Sequence, residues 1–298
     1  MNAPAPAFNA DLLGRLFELS RRHQYDPYVR FDWPAQIDRS RPWCDEDLLT
    51  TYGTAFHAEL TEEQAIALSH WECINFFSLN VHGIKGALEF LMRSIYEKRY
   101  RVFSEYLHFF VAEENFHLWF FAKFCLDYTG KIYPSIAMPP AKTGDPLEQD
   151  LYMFASTLIF EEYVDFYNSK VGRNAKVPDL LREINHQHHV DESRHIAFGR
   201  EVVRYLHGQL LAQDESGQAA PRVCLQIQRI FAYFIGLMYN PAAYQDAGLV
   251  AASGLPNATA LRNRLRNDPA RRQYHQQWFE RTAGFFVRQG ILENTDFF

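Results

Sequence analysis

The sequence predicts an all-α chain: a four-helix bundle core with additional N- and C-terminal helices. Three observations carry that expectation. Long stretches keep helical spacing of apolar residues, with no strand-like alternation. Loops rich in Pro and Gly separate those stretches. Glu-x-x-His occurs twice, as Glu114-Asn-Phe-His117 and as Glu192-Ser-Arg-His195, each inside a helical stretch.

The 298 residues are read as a single domain, with the core at about 61–211, an N-terminal wrap over 1–60 and C-terminal helices over 212–298. After an Ala/Pro-rich lead comes a short helix around Asp11–Arg22, then aromatic and proline-rich turns of the kind that wrap a domain. The first core helix opens at Thr61, a good N-cap with Glu62 and Glu63 in its first turn. Its seam carries Glu72, Asn75, His82 and Glu89, too many polar groups for an ordinary core, and Gly83 and Gly86 suggest a kink or a close neighbour. A turn near Arg99–Phe103 leads to a second helix, capped by Ser104 and ending at Gly130. The stretch TGKIYPSIAMPPAKTGDP crosses one end of the bundle. The third helix covers about Leu147–Val171 and the fourth about Pro178–Leu211, joined by GRNAKVP. A fifth lies near Arg222–Tyr239, with one or two more beyond it.

Composition excludes several classes. A formal charge of −6 gives no reason to expect nucleic acid. No apolar run is long enough and free enough of charge to span a bilayer, and the N-terminus lacks the pattern of a signal peptide. Cys44, Cys73, Cys125 and Cys224 have no paired spacing, which fits reduced thiols in a cytoplasmic protein.

The chemistry lies in His188, Glu192 and His195, which at i, i+4 and i+7 share one helical face. Two imidazoles and a carboxylate converging there are costly to bury unless something pairs them, and a metal does. Glu114 and His117 sit among phenylalanines and tryptophans, a poor setting for surface decoration. The competing reading is a bundle with buried His–Glu pairs and no metal. Two inward Glu-x-x-His helices plus a Glu from each of two others form a di-iron carboxylate site. In an antiparallel hairpin the midpoint of Glu161 and Glu192 falls near residue 176, inside the loop, so these two face each other. Glu162 fits nearly as well by height. Across the first hairpin, a turn near residue 101 pairs Glu114 with Glu89. Glu72 lies roughly 25 Å further along a straight helix, and His82 lies between them. Phe110, Phe116, Phe120 and Phe160 are expected to wall a substrate pocket, although each also reads as bundle core. Tyr163 reads as a core tyrosine, and Asp191 with Arg194 as an ion pair flanking the ligands.

With Asp191 before it, His188-x-x-x-Glu192-Ser-Arg-His195 resembles the p-aminobenzoate N-oxygenase family of non-haem di-iron proteins, whose bundle is ferritin-like. The resemblance spans roughly residues 61–210. Matched residue by residue, it implies Glu114, His117, Glu161, His188, Glu192 and His195 as iron ligands, with Glu89, His82 or Glu72 standing in for a first-helix Glu missing from Val81–Gly86. It implies two iron ions, a mixed Mn/Fe pair suiting the same ligands. It further implies O2 reduction to a peroxo-diferric species, and oxygen transfer to an amine to give a hydroxylamine, nitroso or nitro compound, as in secondary metabolism. An external electron donor or reductase, a free or carrier-bound amine and a homodimer are compatible with this. Lys85 is the only basic residue placed to hold a substrate carboxylate, so aminobenzoate itself is not assured. A desaturase or C-hydroxylase would use the same irons. A radical-generating subunit or a non-catalytic ferritin-like metal binder or scaffold are further alternatives. The run Leu261–Arg272, with Arg262, Arg266 and Arg271, reads as a solvated helix end or as a docking patch for an acidic partner.

Overall fold

The computed structural model describes residues 6–298 except 140 and 142, and no strand occurs among them. Eleven α-helices follow in order: α1 Ala10–Arg22, α2 Ala55–Ala58, α3 Glu62–Ser94, α4 Ser104–Thr129, α5 Pro146–Val171, α6 Asp179–Gln213, α7 Ala219–Met238, α8 Pro241–Asp246, α9 Leu249–Ala252, α10 Ala258–Arg266 and α11 Arg272–Arg288. No described helix is long and apolar enough to cross a membrane.

Two hairpins, α3–α4 and α5–α6, make the four-helix core, and α7 and α11 pack against α5. The caps follow from local chemistry. Thr61 forms a reciprocal box with Gln64: Thr61 Oγ1 accepts from the Gln64 amide at 3.2 Å, and Gln64 Oε1 accepts from the Thr61 amide at 2.9 Å. Asp145 caps α5 ahead of Pro146, and Gly130 closes α4 at φ 64°, a conformation that suits glycine. Ser104 does not cap α4 as expected. It is the first helical residue, and its hydroxyl donates to the Tyr100 carbonyl at 2.9 Å and accepts from the Tyr96 amide at 3.0 Å.

The N-terminal segment lies across the bundle. Arg41 donates to the carbonyls of Ala175, Lys176 and Val177 in the α5–α6 loop, and Trp43 is fully buried. At the other end, four helices follow α7 where one or two were expected, three of them shorter than ten residues, because Pro241, Gly248, Gly254 with Pro256, and Pro269 break the run. Three arginines of the basic run there bond within the fold. Arg262 donates to the carbonyls of Tyr239 and Gly236 and so serves the open C-terminal end of α7, while Arg266 donates to the Ala232 carbonyl one to two turns earlier. Arg271 is fully buried, bonded to Tyr239 Oη at 2.9 Å and to the Tyr52 carbonyl, and cannot present itself to a partner.

Glu72 belongs to this second polar interior. Its carboxylate accepts from the Thr50 amide at 2.9 Å and from the Thr50 hydroxyl, which lies 2.7 Å from Tyr244 Oη. Burial pushes its carboxyl from 4.5 up to about 7, against the Thr50 hydrogen bonds and the field of Arg271. A raised acid is neutral in the fold but ionised in the unfolded chain between those two values. The favourable contribution is whole below about pH 4.5 and lost as pH rises through about 7. Glu72→Gln removes that dependence. Denaturant titrations should show wild type losing on the order of 3 kcal/mol more than the variant between those limits. Parallel pH–stability curves would remove the basis for this.

Candidate metal centre

The core helices bring six donor side chains to one level. A ligand atom from each of Glu114, His117, Glu192 and His195 lies within 4.8 Å of the others, and all four residues are buried. Glu114 Oε1 is 2.8 Å from His195 Nδ1 and 3.3 Å from His117 Nδ1. Glu192 Oε1 is 3.4 Å from His117 Nδ1 and 2.8 Å from His188 Nε2. The third carboxylate, Glu161 on α5, is also buried. Desolvation, then the charges of Glu192 and Glu114, push its carboxyl well above the usual range. Burial alone would lower the two imidazoles of the paired motifs. Carboxylate charge and hydrogen bonds override it, and His117 and His195 are held well above 6.5.

Around these donors is a layer that repeats across the two motifs. His117 Nε2 is 3.3 Å from Asp191 Oδ2, and His195 Nε2 is 2.8 Å from Glu113 Oε2. The acid just before each motif's Glu thus holds the imidazole of the other motif. Arg194 Nη2 joins the two acids at 2.8 and 3.0 Å. These partners hold Nε2 of each ring and leave Nδ1 turned inward toward the carboxylates, the orientation a metal-ligating histidine needs. The Asp191–Arg194 pair is buried, and Tyr25 from the N-terminal wrap donates to the same aspartate at 3.0 Å. The Asn168 amide lies 2.6 Å from His188 Nδ1. The contact is made by Asn168 Nδ2 and fixes the orientation of the His188 ring. Sequence reasoning missed Glu113 and Asn168. The acid before each Glu was a usable signal for the first, and a spacing of two helical turns from Glu161 for the second.

The donor set fits a metal. His188 Nε2, His195 Nδ1 and Glu192 Oε2 are buried and make no well-aligned hydrogen bond, although carboxylate oxygens stand 2.8 Å from both imidazole nitrogens. Orphaned polar atoms are costly, and these three stand together in the cluster. Three carboxylates with three imidazoles form the mixed N/O set that suits iron or manganese, the carboxylates being able to bridge two ions.

Glu89 and the alternatives Glu72, His82 and Glu162 are not in the cluster. Glu89 is exposed. It lies nine residues from Asn80, so at 100° per residue it points to the opposite side of α3. The hairpin arithmetic erred because α3 stops at Ser94 and α4 starts at Ser104, moving the level of Glu114 to residue 84. At the cluster, α3 presents Asn80, whose amide donates to the Phe76 carbonyl at 2.9 Å. Of the two alternatives, Glu72 is in the separate network above. His82 Nε2 donates to the Tyr133 carbonyl, 2.9 Å away, and stands in the cavity wall rather than in the cluster. Glu162 turns to Arg200, which grips both its oxygens at 2.8 Å.

A cavity of about 410 Å³ opens beside the donors, with Glu114, Glu161, His188 and Glu192 in its wall. Of the four phenylalanines expected there, Phe160 alone takes part. Gly83 makes room for it: a Cβ at that position would come within 3.0 Å of the Phe160 ring. Phe110 stacks on His195 at 4.0 Å, and Phe120 meets His117 and His188 at 5.5 and 5.9 Å. These rings wedge the imidazoles from the side away from the cavity. Phe116 faces Tyr25. Tyr163 packs on Phe76, Trp278 and Phe279 as core. No Lys or Arg lines the cavity among the described residues, and Lys85 is exposed.

A buried carboxylate–imidazole cluster inside a four-helix core, opening on a mainly apolar cavity, defines the class: a di-metal oxidoreductase of the oxygenase kind. The chain belongs to the p-aminobenzoate N-oxygenase AurF family, which it matches over residues 8–290. Solved structures share its fold. An R2-like ligand-binding oxidase with an aerobically reconstituted Mn/Fe cofactor aligns at 13% identity and TM-score 0.54, covering 94% of this chain and 92% of that one. A tyrosine-to-phenylalanine mutant of an R2-like ligand-binding oxidase, with an anaerobically reconstituted Mn/Fe cofactor, aligns at 14% and 0.52, covering 95% and 94%. No curated protein matches the chain in sequence.

Proposed function

We propose that Glu114, His117, Glu161, His188, Glu192 and His195 hold two metal ions, two irons or a Mn/Fe pair, and that the protein N-oxygenates an amine. The observation that carries this reading is the cluster's position: its donors form one wall of an otherwise mainly apolar cavity, so whatever fills the cavity lies against them. The bound metals would supply O2 reduction and oxygen transfer. One oxygen atom goes to nitrogen to give the hydroxylamine, and the other leaves as water with two protons and two electrons from an external reductase. Repeated turnovers give the nitroso and nitro levels. A homodimer is compatible with this reading.

The chain's own residues do the rest. Asp191, Glu113 and Asn168 orient the three imidazoles. Phe160, Phe234 and Val164 exclude water and favour an uncharged amine with its lone pair available. With no cation in the cavity, aminobenzoate would have an unpaired carboxylate there, so the family's eponymous substrate is a poor fit. The test is product analysis on protein reduced and exposed to O2 with a panel of aryl and alkyl amines. Consumption of O2 matched by hydroxylamine, nitroso or nitro product supports the reading. C-hydroxylated or desaturated product in its place overturns the amine assignment.

A further inference from the structure

A second concavity of about 800 Å³ lies on the α7–α10 face and shares Met138, Tyr233 and Leu237 with the cavity. The Tyr233 hydroxyl donates to the Ile136 carbonyl at 2.6 Å, tying this shared wall to the chain segment that follows α4. The outer concavity has a charge imbalance. Arg222, Arg229, Arg262 and Arg266 line it against one carboxylate, Glu148. That carboxylate is already taken, by Arg222 at 3.1 Å and by the Tyr152 hydroxyl. Arg262 and Arg266 bond only to carbonyl oxygens among the described residues. Burial and the charge of Arg262 hold Arg266 below the usual arginine range, as expected of guanidiniums crowded together without an anion. Arg229 is exposed and has no ion pair among the described residues. On a chain of net charge −6, this is a local positive field at the cavity's outer wall. Leu225 and Ile136, both well exposed, give it an apolar rim.

We propose that this concavity is an anion subsite for the substrate: an elongated amine bearing a phosphate or carboxylate, its charged end on Arg229, Arg262 and Arg266 and its amine end in the cavity. The assignment rests on the amine reading above and explains how a charged substrate can use a cavity that holds no cation. Planar guanidiniums favour such oxyanions through paired charged hydrogen bonds.

Calorimetric binding to the metal-loaded protein tests the subsite without requiring turnover. The probes are ω-aminoalkyl phosphates, ω-aminoalkyl carboxylates, amino alcohols of the same length, and inorganic phosphate. Wild type should bind the two anionic probes at least about 10-fold more tightly than the alcohol, and Arg229→Glu should lose about that factor while Arg229→Lys keeps most of it. The stronger of the two anionic probes names the oxyanion. Ala87→Phe, which fills the inner cavity, should weaken the amino phosphate and leave inorganic phosphate unchanged. Equal affinity of Arg229→Glu and wild type for both anionic probes overturns the subsite. An Ala87→Phe variant that binds every probe as wild type does overturns its link to the cavity. Arg229-dependent binding without oxidation of any amine upholds the anion subsite and refutes the amine reading alone.

Discussion

Glu192→Ala is expected to take the protein from two metal ions per chain to fewer than one, and to abolish O2-dependent turnover. Glu192 stands between both halves of the cluster: 3.4 Å from His117 Nδ1, 3.4 Å from His195 Nδ1 and 2.8 Å from His188 Nε2. Among the described residues no other carboxylate pairs with all three imidazoles. Removing the partners that merely orient a ligand costs roughly 10–100-fold in affinity or activity, and losing a shared ligand should cost more than that. The natural controls are Glu89→Ala and Glu162→Ala. The first changes an exposed residue on the far side of α3, and the second breaks a pair with Arg200. Both should keep two ions, the second with some loss of stability. Elemental analysis of the three proteins reads the outcome, with circular dichroism showing that each is folded. A Glu192→Ala protein that retained two ions and full turnover would mean that the metals, if any, sit elsewhere.

The sequence made the helices legible because their boundaries have local causes: Thr61 with Gln64, Pro146 after Asp145, and Gly130 in a left-handed conformation. The paired motifs stood out because acid and imidazole inside an apolar helix need a reason. The second hairpin yielded to arithmetic, since a short loop separates Val171 from Asp179 and height converts directly into residue number. The first did not. Its connection contains a 3-10 turn and Tyr96 at φ 63°, so counting from an assumed midpoint misplaced the level. Height also ignores rotation about the helix axis, and Glu89 failed on rotation. The pocket residues failed for a different reason. Large aromatics draw attention, but Phe110 and Phe120 are spent on packing the imidazoles. Space beside the donors comes from small groups such as Gly83, Gly86, Ala87 and Ser156. Absence of bulk leaves little trace in a single sequence. The C-terminal arginines show the same limit, since nothing local distinguishes buried Arg271 from its exposed neighbour Arg264.

Stripping the metals should lower the midpoint of thermal unfolding by about 6 °C. A ligand that binds only the folded state stabilises by RT ln(1 + [L]/Kd), about 4 kcal/mol at a thousandfold excess over Kd. For this 298-residue chain, at about 2.1 cal/mol/K of unfolding entropy per residue, each kcal/mol shifts the midpoint by roughly 1.6 °C. The metal-free fold has its own reason to be weak here. Glu114, Glu161 and Glu192 are crowded and buried, and three donor atoms of the cluster make no well-aligned hydrogen bond. A divalent ion relieves both faults at once. Scanning fluorimetry on chelated and anaerobically refilled protein measures the shift, and the same comparison on Glu192→Ala should show almost none. Zinc separates structure from chemistry in this experiment. It accepts the same carboxylate and imidazole donors but has no redox change, so it should restore the melting midpoint without restoring O2 consumption. Unchanged melting on chelation and refilling would leave the orphaned donors to be satisfied by ordered water, and the metal assignment would fail with them.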